Sequence, residues 1–153
     1  LNVDAIYFGG YHTEAALIAR QAAEQGLNAP LLSGDALNTI EYAQLAGPAS
    51  DGTRFTNGAE ARNLPTAQKV VEEFKASGYD PEGYTLSTYA AVQVWAAAAS
   101  EAGTTDAAKV AETMRSKRWD TVIGNIGFDE KGDLSENTYV WFEYKDGNYA
   151  QVQ

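Results

Sequence analysis

Few side chains in this sequence are equipped for covalent chemistry. There is one histidine, His12, and there is no cysteine. Without cysteine there are no disulfides, thiolate metal sites or thiol nucleophiles. A lone histidine cannot build a multi-histidine metal site, and the ordinary reading of His12 is a turn residue near a helix start. No Gly-x-Ser-x-Gly elbow carries a serine nucleophile, and no lysine-bearing loop cradles phosphates. Gly124 and Gly127 form only a G-x-x-G, too short for a dinucleotide fingerprint. Asp129 and Asp133 bracket Glu130-Lys131-Gly132, but the alternating oxygen ligands and terminal glutamate of a calcium loop are missing. A plain turn is expected there. Neither an enzyme, nor a metal, nor a cofactor is implied.

What remains suits non-covalent recognition. Residues 3–8 (VDAIYF) form a β-rich run that ends in Gly9-Gly10-Tyr11-His12. Glycines at a strand end let the backbone approach a ligand closely, and Tyr11 adds a flat apolar face with a hydroxyl. A second short strand, Leu31-Leu32, ends in Ser33-Gly34-Asp35. The Asp35 carboxylate is able to hold an ammonium group through charge-assisted hydrogen bonds. Open α/β sheets bind ligands at the carboxyl ends of their strands, which is where both features fall. Each also has a purely structural reading: Tyr11 as a ring covering the helix start, Asp35 as a cap or turn acid.

The elements that must position these residues alternate. A helix is expected over residues 13–25, with Glu14 in its first turn and Gly26 beyond its end. Asn38 with Glu41 resembles a capping box for a second helix that Gly47-Pro48 stops, and residues 53–56 read as a third strand. Strand, helix, strand, helix, strand implies a parallel sheet with crossover helices. The middle differs. Pro65 is expected to open a helix carrying Val70, Val71 and Phe74, closed by Gly78. Helices over residues 85–102 and 106–117 follow, the last with Val110, Ala111 and Met114 on one face. Three helices in succession do not continue a βαβ sheet, so the chain is expected to leave it and join another body. Residues 121–128 read as one strand broken by glycines. Residues 139–144 and 149–152 read as a hairpin about Lys145-Asp146-Gly147-Asn148, where Asp-Gly accepts a type I′ turn.

The bulk composition narrows the partners. The 153 residues are 44% apolar, enough for a core, and carry 21 acidic against 11 basic side chains, a formal charge of −10. Such a surface repels phosphate backbones and excludes nucleic acid as a natural partner. The longest mainly apolar stretch, residues 89–99, is too short to span a bilayer. The start at Leu1, entering a strand almost at once, reads as a mature or truncated product without its signal peptide.

These residues also carry a family likeness. The run Ile6-Tyr7-Phe8-Gly9-Gly10-Tyr11-His12, followed by a helix and Ser33-Gly34-Asp35, resembles the periplasmic branched-chain amino-acid-binding proteins. These are the leucine/isoleucine/valine-binding family of type I solute-binding proteins that serve ABC importers. The likeness continues at Gly83-Tyr84, Thr88-Tyr89-Ala90-Ala91, Asp120-Thr121-Val122-Ile123-Gly124 and Phe128-Asp129-Glu130-Lys131-Gly132-Asp133. It runs collinearly over essentially the whole chain.

The resemblance implies an α/β fold of two Rossmann-like parallel-sheet lobes joined by three crossings, with an amino acid, of the branched-chain class, in the cleft between them. This chain would be the C-terminal portion. Residues 1–57 would be the later part of the second lobe, 58–136 a mainly helical return to the first, and 137–153 the terminal hairpin of the second. Tyr11 would match a cleft tyrosine that touches the ligand, Asp35 the acid that holds its α-ammonium, and Tyr84 an aromatic near its side chain. The family has glutamate where this sequence has Asp35. Residues gripping the ligand carboxylate would fall outside the chain. The implied setting is the periplasm, with a membrane permease of an ABC transporter as partner and no cofactor. Two further readings stay open: a binder of another small polar ligand, such as an amide or an aromatic acid, and a ligand-sensing receptor domain. A fragment spanning parts of two lobes is expected to expose apolar faces on its middle helices, and so to dimerise, exchange segments or sit beside its missing half.

Overall fold

The computed structural model describes residues 3–136 and 138–152. In chain order its elements are β1 (Ile6–Phe8), α1 (His12–Glu24), β2 (Leu31–Ser33), α2 (Ile40–Ala46), β3 (Arg54–Gly58), α3 (Gln68–Ala76), α4 (Thr85–Ala102), α5 (Ala107–Arg115), β4 (Trp119–Thr121), β5 (Gly124–Ile126), β6 (Tyr139–Lys145) and β7 (Asn148–Val152). They divide into two compact units, one of residues 1–59 with 138–153, the other of residues 60–137.

The first unit is a five-stranded sheet of order β1-β2-β3-β6-β7. The first three strands are parallel, and β6 and β7 are antiparallel additions. Both helices lie on one face. Ala15, Ala16 and Ala19 of α1 and Tyr42, Ala43 and Ala46 of α2 share a buried core with Leu31, Phe55, Phe142 and Tyr144. Alanine on the inner helix faces lets backbone approach backbone, and the sheet supplies the bulk. Phe55 stacks on Phe142 with ring centroids 5.2 Å apart, a geometry that adds to simple area burial. Between β6 and β7, Asp146 and Gly147 both take positive φ, 52° and 75°. This is the type I′ geometry expected for Asp-Gly. The Asp51 carboxylate accepts the Asp146 amide at 2.9 Å.

The second unit packs α3 and α4 around Ala67, Val70, Val71, Leu86, Ala90 and Val122. A second cluster joins α4, α5 and β4 through Val94, Ala98, Val110 and Trp119. Asp106 caps α5 by accepting the Lys109 amide at 3.1 Å. Gly103, at φ 64°, closes α4, as its position after the apolar run predicts. On its outer side α4 exposes Val92 and Trp95.

Three local expectations are corrected. The cap of α2 is Thr39, whose hydroxyl accepts the Glu41 amide at 3.4 Å. Asn38 instead ends a 3-10 turn, Asp35–Leu37, and that turn pushes the helix start one residue on. Pro65 opens no helix. It lies in a turn in which the Leu64 carbonyl accepts the Ala67 amide at 3.0 Å, and α3 begins at Gln68. The broken strand over 121–128 is a hairpin of β4 and β5. The chain reverses at Val122 and Ile123, Gly124 enters β5 at φ 98°, and the Thr121 hydroxyl donates to its carbonyl at 2.7 Å.

Tyr42 is fully buried, with its hydroxyl 2.7 Å from that of Thr53. Burial pushes its phenol above the usual range, against the opposing effect of the Thr53 contact. An unfolded tyrosine ionises near pH 10, while this one stays neutral higher. Its contribution is therefore complete below pH ~10 and is lost as pH rises towards the folded value. Tyr42→Phe should cost about 1–3 kcal/mol at pH 7, because the buried Thr53 hydroxyl loses its partner. The variant should also lose less stability than the parent between pH 9 and 11. Urea unfolding followed by circular dichroism at both ends of that range checks both effects.

Candidate functional site

The parallel strands β1 and β2 end together. Phe8 is in register with Ser33, and the buried Ser33 hydroxyl donates to the Phe8 carbonyl at 2.8 Å. Beyond this tie the two chains diverge. One runs through Gly9 and Gly10 to Tyr11, which has extended backbone and is the N-cap residue of α1. Its carbonyl accepts the Ala15 amide at 3.0 Å, while its ring is 73% exposed. The other runs through Gly34 to Asp35, which is exposed and heads the 3-10 turn. Tyr11 and Asp35 thus leave the same end of one sheet from neighbouring strands, the end at which a parallel α/β sheet offers its ligand crevice.

The scaffold behind these residues is tied down from several directions. His12 Nε2 lies 3.0 Å from Glu41 Oε2, joining the starts of α1 and α2, which fits the structural reading of this histidine. In the first turn of α1, the Thr13 hydroxyl donates to Glu14 at 2.7 Å and holds that carboxyl below its usual range. Leu37, at the end of the 3-10 turn, is fully buried. Above it, the Tyr144 hydroxyl from β6 reaches the carbonyls of Leu37 at 2.7 Å and Thr39 at 2.6 Å. Tyr144 escaped the sequence reading, in which it was only one member of an alternating aromatic run. Its partners lie more than a hundred positions away.

A Cβ at Gly10 would lie 2.3 Å from Cζ of Phe8, so the missing side chain makes room for the Phe8 ring. Gly9 has no heavy atom within 4 Å of such a Cβ and does stay open.

Tyr84 belongs to the second unit. It is the N-cap residue of α4, half exposed. It lines a cavity of about 800 Å³ together with Phe74, Tyr79, Tyr89, Val92 and Gln93. Phe74 meets Tyr79 and Tyr89 edge-on, at 5.9 Å and 6.4 Å between ring centroids. These companions were not singled out from sequence, since only the pairing of α3 with α4 gathers them. Among the described residues no three histidine or carboxylate side chains gather as a metal site would require. At Asp129 one carboxylate oxygen accepts the amides of Lys131, Gly132 and Asp133, each at 2.9 Å, so that acid is spent on the turn itself.

Two substitutions separate support from surface. Tyr144→Phe keeps the ring contacts but withdraws the hydroxyl from two carbonyls. It should cost about 1–3 kcal/mol and speed amide hydrogen exchange at Asn38 and Thr39. Gly10→Ala should displace the Phe8 ring at a cost of about 1–3 kcal/mol, read as a lower urea midpoint with unchanged slope.

Comparison with known proteins places this geometry. Residues 1–148 match the periplasmic binding protein family. The Leu/Ile/Val-binding protein homolog 1 of Brucella suis biovar 1 is 44% identical over 99% of this chain and 42% of its own length. An amino acid binding protein of Pseudomonas aeruginosa is 45% identical over 99% of the chain and 41% of its own length. Among solved structures, the leucine binding protein LivK of Thermotoga maritima superposes with a TM-score of 0.86 at 32% identity, covering 98% of this chain and 44% of that one. The α/β fold expected from the resemblance is therefore present, and the chain spans less than half the length of the relatives it matches. With this likeness running along nearly its whole length, the chain belongs to the periplasmic binding protein family.

Proposed function

We propose that this chain is part of the substrate-binding component of an ABC importer, holding an amino acid of the branched-chain class between two lobes. The observation that carries the reading is the pairing of Tyr11 and Asp35 on segments leaving adjacent parallel strands. Beside it stand relatives named for leucine, isoleucine and valine. In this reading the Asp35 carboxylate receives the ligand ammonium, and Tyr11 supplies a ring face and hydroxyl. Tyr84, within its aromatic cavity, meets the ligand side chain. Residues 1–57 and 137–153 are parts of one lobe and 58–136 part of the other. Contacts made by both lobes at once favour the closed form, so binding is a shift in population. The chemistry is non-covalent and the protein is not an enzyme. Its place is the periplasm and its partner a membrane permease.

The test uses a polypeptide of the relatives' full length. Asp35→Ala should keep its circular dichroism and thermal midpoint. Its affinity for leucine, isoleucine and valine in calorimetry should fall about ten- to a hundred-fold, the loss of one hydrogen-bonded charge. Unchanged affinity removes Asp35 from the ammonium role. Thermal-shift screening against the other amino acids, amides and aromatic acids assigns the ligand class.

A further inference from the structure

Two bonds close a frame at one end of the sheet unit. The lower bond joins the strand ends, from the Ser33 hydroxyl to the Phe8 carbonyl. The upper one is the 3.0 Å contact of His12 Nε2 with Glu41 Oε2. Between them the chain has two sides. Residues 9–11 form the short side, which brings Tyr11 to the start of α1. Residues 34–40 form the long side, which carries Asp35 in its 3-10 turn and ends at the start of α2. Tyr11 and Asp35 therefore occupy opposite sides of one closed loop of bonds. Neither can move far from the other while both ties hold.

The two ties differ in what they contribute. Ser33 is buried, and its bond belongs to the core. The side chain of Glu41 is 64% exposed and that of His12 25%, and so open a pair adds little to global stability. Yet the frame needs its upper tie. A Cβ at Gly9 or Gly34 would meet no atom within 4 Å, so nothing packs against the chain at those points, and glycine holds no conformation of its own. Helix α1 meets the core through Ala15, Ala16 and Ala19, and methyl groups offer little bulk to interdigitate. The long side also receives the Tyr144 hydroxyl from β6. The short side reaches the long one through His12. The acceptor sits on a fixed backbone, because the Glu41 amide donates to the Thr39 hydroxyl at 3.4 Å. An acid in the first turn of α2 is also favoured by the free amides there.

We propose, resting on the ligand-binding role proposed for Tyr11 and Asp35, that His12 and Glu41 are positioning residues. Their bond sets the separation of Tyr11 from Asp35, and through it the affinity for a ligand that both touch. A recognition site must hold its geometry to about 0.5 Å, so a tie that contributes little to folding still governs affinity.

The test uses a polypeptide of the relatives' full length. His12→Phe keeps a ring without a donor, Glu41→Ala removes the acceptor, and the double variant lacks both. His12→Gln restores an N–H at similar reach. Leucine affinity in calorimetry should fall about three- to ten-fold in each single variant and no further in the double. It should return to within about two-fold of the parent in His12→Gln, with the urea midpoint constant throughout. Full affinity in the single variants overturns the proposal. So do losses that multiply in the double, since the two residues then act independently, and so does a urea midpoint that falls with the affinity, which assigns the pair to folding. A second readout needs no ligand. Amide hydrogen exchange at Gly10, Tyr11, Gly34 and Asp35 should speed about three- to ten-fold in either single variant and no more in the double. If the parent binds no amino acid, the binding reading fails by itself, and exchange still decides the frame: unchanged rates sink it. His12→Ala takes the place of His12→Phe if that variant does not fold.

Discussion

Tyr144 enters the core of the sheet unit from a strand near the end of the chain, yet it governs a segment near the beginning. Its ring contacts those of Tyr42, Phe55 and Tyr149, with centroids 4.9, 5.6 and 5.3 Å away. Its hydroxyl serves two carbonyls of the segment that follows β2. A buried ring gives position through packing, and a buried hydroxyl gives it through direction, because it is costly to leave unpaired. The short 3-10 turn carrying Asp35 has too few bonds of its own to be rigid. It takes its place from Tyr144 above and from Leu37 buried below. An exposed carboxylate can be held accurately only if the backbone beneath it is fixed in this way.

The same division between exposed tip and fixed base recurs at Tyr11. The ring is in solvent, but the strand end beneath it is bound to β2 through Ser33, and the helix it begins is joined to α2 through His12 and Glu41. The unit thus holds Tyr11 and Asp35 on adjacent stalks and leaves both exposed.

The sequence disclosed those features whose cause is local. Gly26 and Gly103 after helices, and Asp146-Gly147 between strands, act through their own backbone freedom and were legible. That Tyr11 and Asp35 leave neighbouring strand ends was legible because each follows a β-rich run through glycine. The misses have longer causes. Thr39 displaces Asn38 as a cap because the turn beneath Tyr144 uses Asn38 first. Nothing in the spacing of Gly10 shows that the ring of Phe8 lies where its side chain would be. Phe74, Tyr79 and Tyr89 lie on and about two helices, and nothing in their spacing shows that those helices meet. Gly124 was legible as a break, but the turn it follows, at Val122 and Ile123, carries no glycine to mark it.

The chain leaves the sheet unit after β3 and returns to it at β6, and these two strands are antiparallel neighbours. Gly58 pairs with Tyr139, and the Ala59 amide donates to the Thr138 carbonyl at 2.9 Å. From the viewpoint of the sheet, everything between is one very long hairpin loop whose ends already meet. The entropy of closing such a loop grows only logarithmically with its length. Insertions or deletions within that stretch can therefore change its size greatly while leaving the register of β3 on β6, and the aromatic stack of Phe55 on Phe142, as they are.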